Sequence, residues 1–308
     1  MLFCLLTESS RRDDRPTDRL EALQQQQQAN QKRLAEQPDN YGLLLVQGKL
    51  LLELGEYPQA KEHYSQALAY YPQDADFWMQ RGFSQARQQQ FAAALADYEQ
   101  SLQFRPQDRD TLHVKADALL MLERDPEALE TFNTVLGYYP NSDHLWYDRG
   151  LVLQRLGQTG LALRSFERAL KIEPAAVEHW LAVAQMQQAL GDGAGCDRTL
   201  QRGLKRHPQS LSLWEIQLNR LLDQQAYERA LAACDRWDAV IPTDNVPQRA
   251  ASLIARATAL ARLQRPAAAQ QAWATAQEQD GAIAAQALAD VPELGALLGV
   301  SPEPDSAQ

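Results

Sequence analysis

The 308-residue chain carries a formal net charge of −10 and is 45% hydrophobic, with Leu, Ala, Gln, Glu and Arg plentiful and Val, Ile and Thr scarce. This composition favours helix over sheet. Its acidic balance argues against a nucleic-acid backbone as the main partner, because phosphate binding needs clustered Lys and Arg.

The chain opens MLFCLLTESSRRDDRP over residues 1–16. Six apolar residues with no basic region before them are too few for a signal-peptide core. Two readings stand for residues 1–17: a disordered end, or the remnant of a longer signal or membrane anchor. A cytoplasmic location goes with the first, and a membrane-anchored or periplasmic one with the second. No run in the sequence approaches the roughly 18 apolar residues that span a bilayer.

Residues 18–37 read DRLEALQQQQQANQKRLAEQ, with a capping-box start at Asp18 and Glu21. A capping helix is expected within 18–40, with Gln24–Gln28 as its solvated face.

From there the chain repeats. Pro38, Pro72, Pro106, Pro140, Pro174, Pro208 and Pro242 follow one another at intervals of 34 residues. Two residues after each stands Asn40, Asp74, Asp108, Ser142, Ala176, Ser210 or Asp244. Proline stops one helix because it lacks the N–H donor and clashes with the preceding turn. An Asn, Asp or Ser then caps the next. Ala176 breaks the pattern, and a less firmly held helix start is expected there.

Counted from the residue after each cap, copies begin at 41, 75, 109, 143, 177, 211 and, past a five-residue insertion, 250. Position 4 holds Leu44, Trp78, Leu112, Trp146, Trp180, Trp214 and Leu253. Position 8 is mostly small, with Gly48, Gly82, Ala116, Gly150, Ala184, Leu218 and Ala257. Position 20 is Ala in every copy but one, where it is Cys196. Position 24 is larger: Tyr64, Tyr98, Phe132, Phe166, Leu200, Cys234 and Trp273. Small residues at 8 and 20 let two helices approach, and the residues at 4 and 24 fill what remains. Position 27, running from Ala67 to Ala276, is expected to meet the next copy. LGEY (54–57) and LGQT (156–159) supply turns between paired helices.

These coupled positions resemble the tetratricopeptide repeat (TPR) family across 41–281, about seven repeats. The resemblance implies an all-α fold: a right-handed superhelical solenoid of antiparallel helix pairs. A capping helix is expected at each end, the second over 282–300 with a bend near Pro292, followed by a disordered tail at 301–308.

Residue chemistry gives no catalytic site. There is no phosphate-cradling glycine loop and no nucleophile elbow, and neither an enzyme activity nor a cofactor is expected. Cys4, Cys196 and Cys234 form no CxxC pair, and so sparse and odd a count suits a reducing compartment. Cys196 and Cys234 take packing slots. The position-4 tryptophans are expected in the core. His113 and His144, with Asp110 and Asp117, are placed on one surface, but without zinc-type spacing.

In the TPR family, positions 2, 5, 9, 12 and 13 of the first helices line a concave groove. That resemblance implies a partner-binding groove containing Lys49, Asp76, Met79, Phe83, Arg87, Asp110, His113, Asp117, Met121, His144, Tyr147, Leu151, Arg155, Gln185, Glu215 and Asn219. The Lys/Asn carboxylate clamp of chaperone-binding members is absent. The expected function is a non-enzymatic scaffold or adaptor that binds a protein or peptide segment, not nucleic acid. The alternative is a membrane-associated assembly factor or chaperone, tethered by an anchor upstream. Pairing into a homo-oligomer stays open.

Overall fold

The computed structural model describes residues 16–290 together with 295, 296 and 298. Among these residues the chain is helical and contains no strand. It divides into two compact units that meet in sequence between Gly157 and Gln158.

The first unit holds α1 (Pro16–Glu36), α2 (Tyr41–Glu53), α3 (Tyr57–Tyr70), α4 (Ala75–Arg87), α5 (Phe91–Phe104), α6 (Arg109–Met121), α7 (Asp125–Tyr138) and α8 (Asp143–Arg155). The second holds α9 (Thr159–Ile172), α10 (Val177–Ala189), α11 (Gly193–Arg206), α12 (Leu211–Asp223), α13 (Tyr227–Asp238), α14 (Val246–Arg262), α15 (Pro266–Gln279) and α16 (Gly281–Asp290). Even-numbered helices from α2 to α14 are the first of each pair, and the odd-numbered helix after each is the second. The expected bend near Pro292 and the tail at 301–308 lie outside the described residues, as does nearly all of 1–17.

Caps start most first helices as the sequence predicts. The side chains of Asn40, Asp74, Asp108 and Ser142 accept from the N–H three residues on. Ala176 has the same extended backbone, at φ −78° and ψ 114°, but no side-chain cap. Ser210 differs from expectation and makes no cap bond. Asp244 is displaced from the role too: Asn245 accepts from the Gln248 N–H and Pro247 sits in the first turn, so α14 begins at Val246, ahead of residue 250. The insertion is absorbed as extra helix.

The packing columns are buried. Ala60, Ala94, Ala128, Ala162, Cys196, Ala230 and Ala269 at position 20 are wholly shielded. At position 24 each residue from Tyr64 to Trp273 is at most 1% exposed. A Cβ on Gly48 would lie 2.3 Å from Tyr64, and one on Gly82 2.7 Å from Tyr98. The close approach therefore requires glycine. The sixth copy reverses the sizes: bulky Leu218 takes position 8, Cys234 takes position 24, and both stay buried in one cluster with Trp214 and Trp237.

Two of the four position-4 tryptophans depart from the expected core placement. Trp180 and Trp214 are buried, whereas Trp78 and Trp146 are half-buried. Each indole N–H reaches back to a turn carbonyl, and Trp78 and Trp146 pack against the edges of buried clusters.

Candidate functional site

α2, α4, α6 and α8 are the first helices of the first unit, and each exposes the side that the repeat frame assigns to a groove. Lys49, Arg87, Asp110, Asp117, Met121, His144, Leu151 and Arg155 are exposed, and Asp76, Met79, Phe83, His113 and Tyr147 are half-buried. In the second unit, Gln185 on α10 and Glu215 and Asn219 on α12 are exposed. None of the sixteen is buried.

Several already have structural work. Met79 packs against the cluster of Ala94, Tyr98 and Ala118. Asp76 is ion-paired with Arg105, and Arg155 with Asp125 at 3.0 Å. Asp110 lies 3.2 Å from Arg109. Arg87 stands over the Tyr57 ring at 4.8 Å and reaches Phe83 at 6.0 Å, so a cation and two aromatics form one exposed corner.

The expected histidine surface is arranged differently. His113 Nε2 lies 3.0 Å from Asp148 on the next first helix, a residue that the sequence reading did not single out. Burial lowers the affinity of this imidazole for its proton. The hydrogen bond to Asp148, with the charges of Asp117, Asp148 and Asp110, more than reverses this and holds the His113 pKa above its ordinary value. His144 is exposed beside its own neighbour Asp143, at 3.6 Å. Among the described residues no group of three or more metal-ligating side chains occurs. Cys196 and Cys234 are free, buried thiols, and burial pushes Cys234 up to about 12.

A polar ladder crosses the repeats of the first unit. At position 7, Arg81, Lys115 and Arg149 reach back sixteen residues to Ser65 (3.4 Å), Glu99 (3.2 Å) and Asn133 (2.7 Å). Arg81 also grips Asp97 with two bonds of 2.7 Å, and Asp97 is buried. This ladder joins neighbouring pairs. A cation recurring at position 7 was its signal in the sequence, but acceptors as unlike as Ser, Glu and Asn hid the partnership.

Three tetratricopeptide repeat models match the sequence, over residues 45–109, 85–148 and 144–176. No curated protein matches it. Among solved structures, the C-terminal part of a TPR repeat-containing protein from Cytophaga hutchinsonii is similar, with TM-score 0.66 and 13% identity over 76% of this chain and 95% of that one. A tetratricopeptide repeat protein from Parabacteroides merdae gives 0.53 and 19% over 84% and 97%. YrrB, described as a TPR protein with an unusual peptide-binding site, gives 0.51 and 17% over 60% and 95%.

Proposed function

Because residues 45–176 match tetratricopeptide repeat models, we propose that the chain is a non-enzymatic interaction module whose first helices in the first unit hold a segment of a partner protein. One observation carries this reading. Phe83, Met121 and Leu151 stand on three successive first helices; Phe83 is half-buried, Met121 is 53% exposed and Leu151 39%. Large apolar side chains reaching the surface on successive helices suit a docking surface. Lys49, Arg87, Asp117 and His144 surround them with charge and hydrogen-bonding capacity, the anchor-and-rim composition of protein interfaces. The helices that carry them are fixed by caps, buried columns and the position-7 ladder. Little ordering entropy is therefore lost on binding, and modest contacts suffice. That YrrB is a TPR protein with a peptide-binding site supports the same assignment by analogy of fold.

The test is affinity capture from the native cell with mass spectrometry, comparing the natural protein with Phe83→Ala/Tyr147→Ala. Partners retained by the first and lost by the second are expected. Retention unchanged by the double substitution would count against the groove.

A further inference from the structure

Two second helices in the first unit and two in the second carry opposite charge. In the first unit, α5 and α7 hold five acids and neither Lys nor Arg. Four of the five are engaged: Asp97 with Arg81, Glu99 with Lys115, Asp125 with Arg155, and Glu127 with Arg124. In the second unit, α9 and α11 hold seven cations against two acids, Glu167 and Asp197.

These cations are ordered. Arg164, Arg168 and Lys171 on α9 recur 34 residues later as Arg198, Arg202 and Lys205 on α11. The i, i+4, i+7 spacing sets each trio along one side of its helix. Arg168 is half-buried and the other five are exposed. Among the described residues none of the six enters an ion pair, while Asp197 is held by Arg220 at 2.9 Å. α11 also walls a cleft of about 300 Å³ with α12 and α13, lined by Leu204, Trp214, Leu221 and Ala233 and by the exposed Arg229 and Arg236.

We propose that this side of the second unit binds an acidic protein segment bearing one aromatic side chain. Its carboxylates meet the α9 and α11 cations, and its ring enters the cleft beside Trp214. Guanidinium forks match carboxylates in geometry, and a cleft where Arg236 stands over the Trp214 ring at 5.2 Å, with Leu204, Leu221 and Ala233 beside it, suits an aromatic ring through both apolar and cation–π contact. A long polyanion is disfavoured because the chain as a whole carries −10 and repels it at a distance. A second copy of the chain is disfavoured because its acidic helices have mostly spent their carboxylates on internal pairs. This site is separate from the groove of the first unit and goes beyond that reading.

Fluorescence anisotropy with a labelled peptide of Glu residues around a single Trp tests it, at low and at physiological salt. Binding is expected to weaken with salt, and Arg198→Glu/Arg202→Glu/Lys205→Glu to weaken it by about tenfold or more. Ala232→Trp, placed on the exposed wall of the cleft, is expected to erase the preference for this peptide over its Trp→Gly counterpart. Phe83→Ala/Tyr147→Ala is expected to bind the peptide as the natural protein does. If charge reversal lowers the melting temperature, the three Gln substitutions take its place. Unchanged binding by the charge variants, or a peptide preference that survives Ala232→Trp, overturns the proposal. So does tighter binding of oligothymidylate or phosphatidylserine vesicles, or salt-sensitive self-association that the charge variants abolish.

Discussion

The indole N–H of Trp146 donates to the carbonyl of Pro140 at 2.9 Å, joining the residue that fills the repeat to the residue that ended the helix before it. The same bond runs from Trp78 to Pro72, Trp180 to Pro174 and Trp214 to Pro208, at 2.8–2.9 Å. A Trp→Phe change keeps an aromatic ring and removes the donor. We expect Trp214→Phe, where the site is buried, to cost about 1 kcal/mol, with Trp146→Phe at the low end of the range for a single hydrogen bond. Urea midpoints followed by circular dichroism would show this ordering.

Gly48→Ala sets two effects against each other. Alanine is the better helix former by about 1 kcal/mol. Its Cβ, however, would stand 2.3 Å from Tyr64 Cζ and 2.4 Å from its Oη, and such overpacking costs about 1–3 kcal/mol. We expect net destabilisation, largely relieved in a Tyr64→Leu background. A double-mutant cycle on the unfolding midpoint measures that coupling. Among the described residues Tyr64 Oη has no hydrogen-bond partner, so Tyr64→Phe alone should be neutral or stabilising.

The columns that could be read from sequence are those in which volume is the constraint. Gly48 opposite Tyr64 and Ala116 opposite Phe132 announce themselves by size, and the structure buries all four. The residues that escaped notice act through direction. Nothing in the letters shows that Trp146 turns its N–H to Pro140, or that Lys115 reaches Glu99. His113 shows the same blindness for the candidate site: its frame position is right, but its partner is Asp148 and not its own helix or His144. The start of α14 was obscured because Asp244 and Asn245 both suit a cap, and only geometry chooses Asn245.

Position 15 carries a left-handed residue in every copy. Gly55, Gly157 and Gly191 have φ of 70–74°, while Gln89, Glu123, Gln225 and Gln264 have φ of 57–62°. The turn is closed by paired bonds such as Glu56 N–H to Leu51 O and Gly55 N–H to Leu52 O, the arrangement that ends helices through a left-handed residue. A side chain in that conformation costs about 1 kcal/mol, partly offset by the extra freedom that glycine gives the unfolded chain, about 0.4–1 kcal/mol. Glu123→Gly should therefore leave stability unchanged or raise it slightly, whereas Gly55→Ala should leave it unchanged or lower it, by up to about 0.6 kcal/mol. Thermal melts should place the first variant at or above the natural protein and the second at or below it.

Ala176→Asp supplies the missing cap. The backbone at Ala176 already has the extended conformation of the capped starts, and its methyl side chain makes no cap hydrogen bond. Aspartate adds an acceptor and a negative charge at a helix N-terminus, for about 1 kcal/mol in total. Ala176→Leu, which restores neither, should give nothing. Hydrogen exchange localised to the first turn of α10 should slow in the first variant alone.

His63 and His113 should bend the pH dependence of stability in opposite directions. The His113 pKa is raised: burial opposes its charge, but Asp148, Asp117 and Asp110 outweigh burial. Its stabilising contribution is complete below the unfolded value of about 6.5 and fades as pH rises through the folded one. His63 has the contrary balance. Burial lowers its pKa, and the 2.8 Å bond to the Leu44 carbonyl only partly compensates. As pH falls below about 6.5 the unfolded chain takes up this proton first, and stability is lost toward the lower folded value. Melting temperatures across about pH 5–8, spanning the ordinary histidine range, separate the two. Relative to the natural protein, His113→Gln should lose least at the alkaline end, and His63→Gln should lose least at the acid end. Two differences sloping the same way would mean that Asp148 does not hold the charge on His113 across the neighbouring helices.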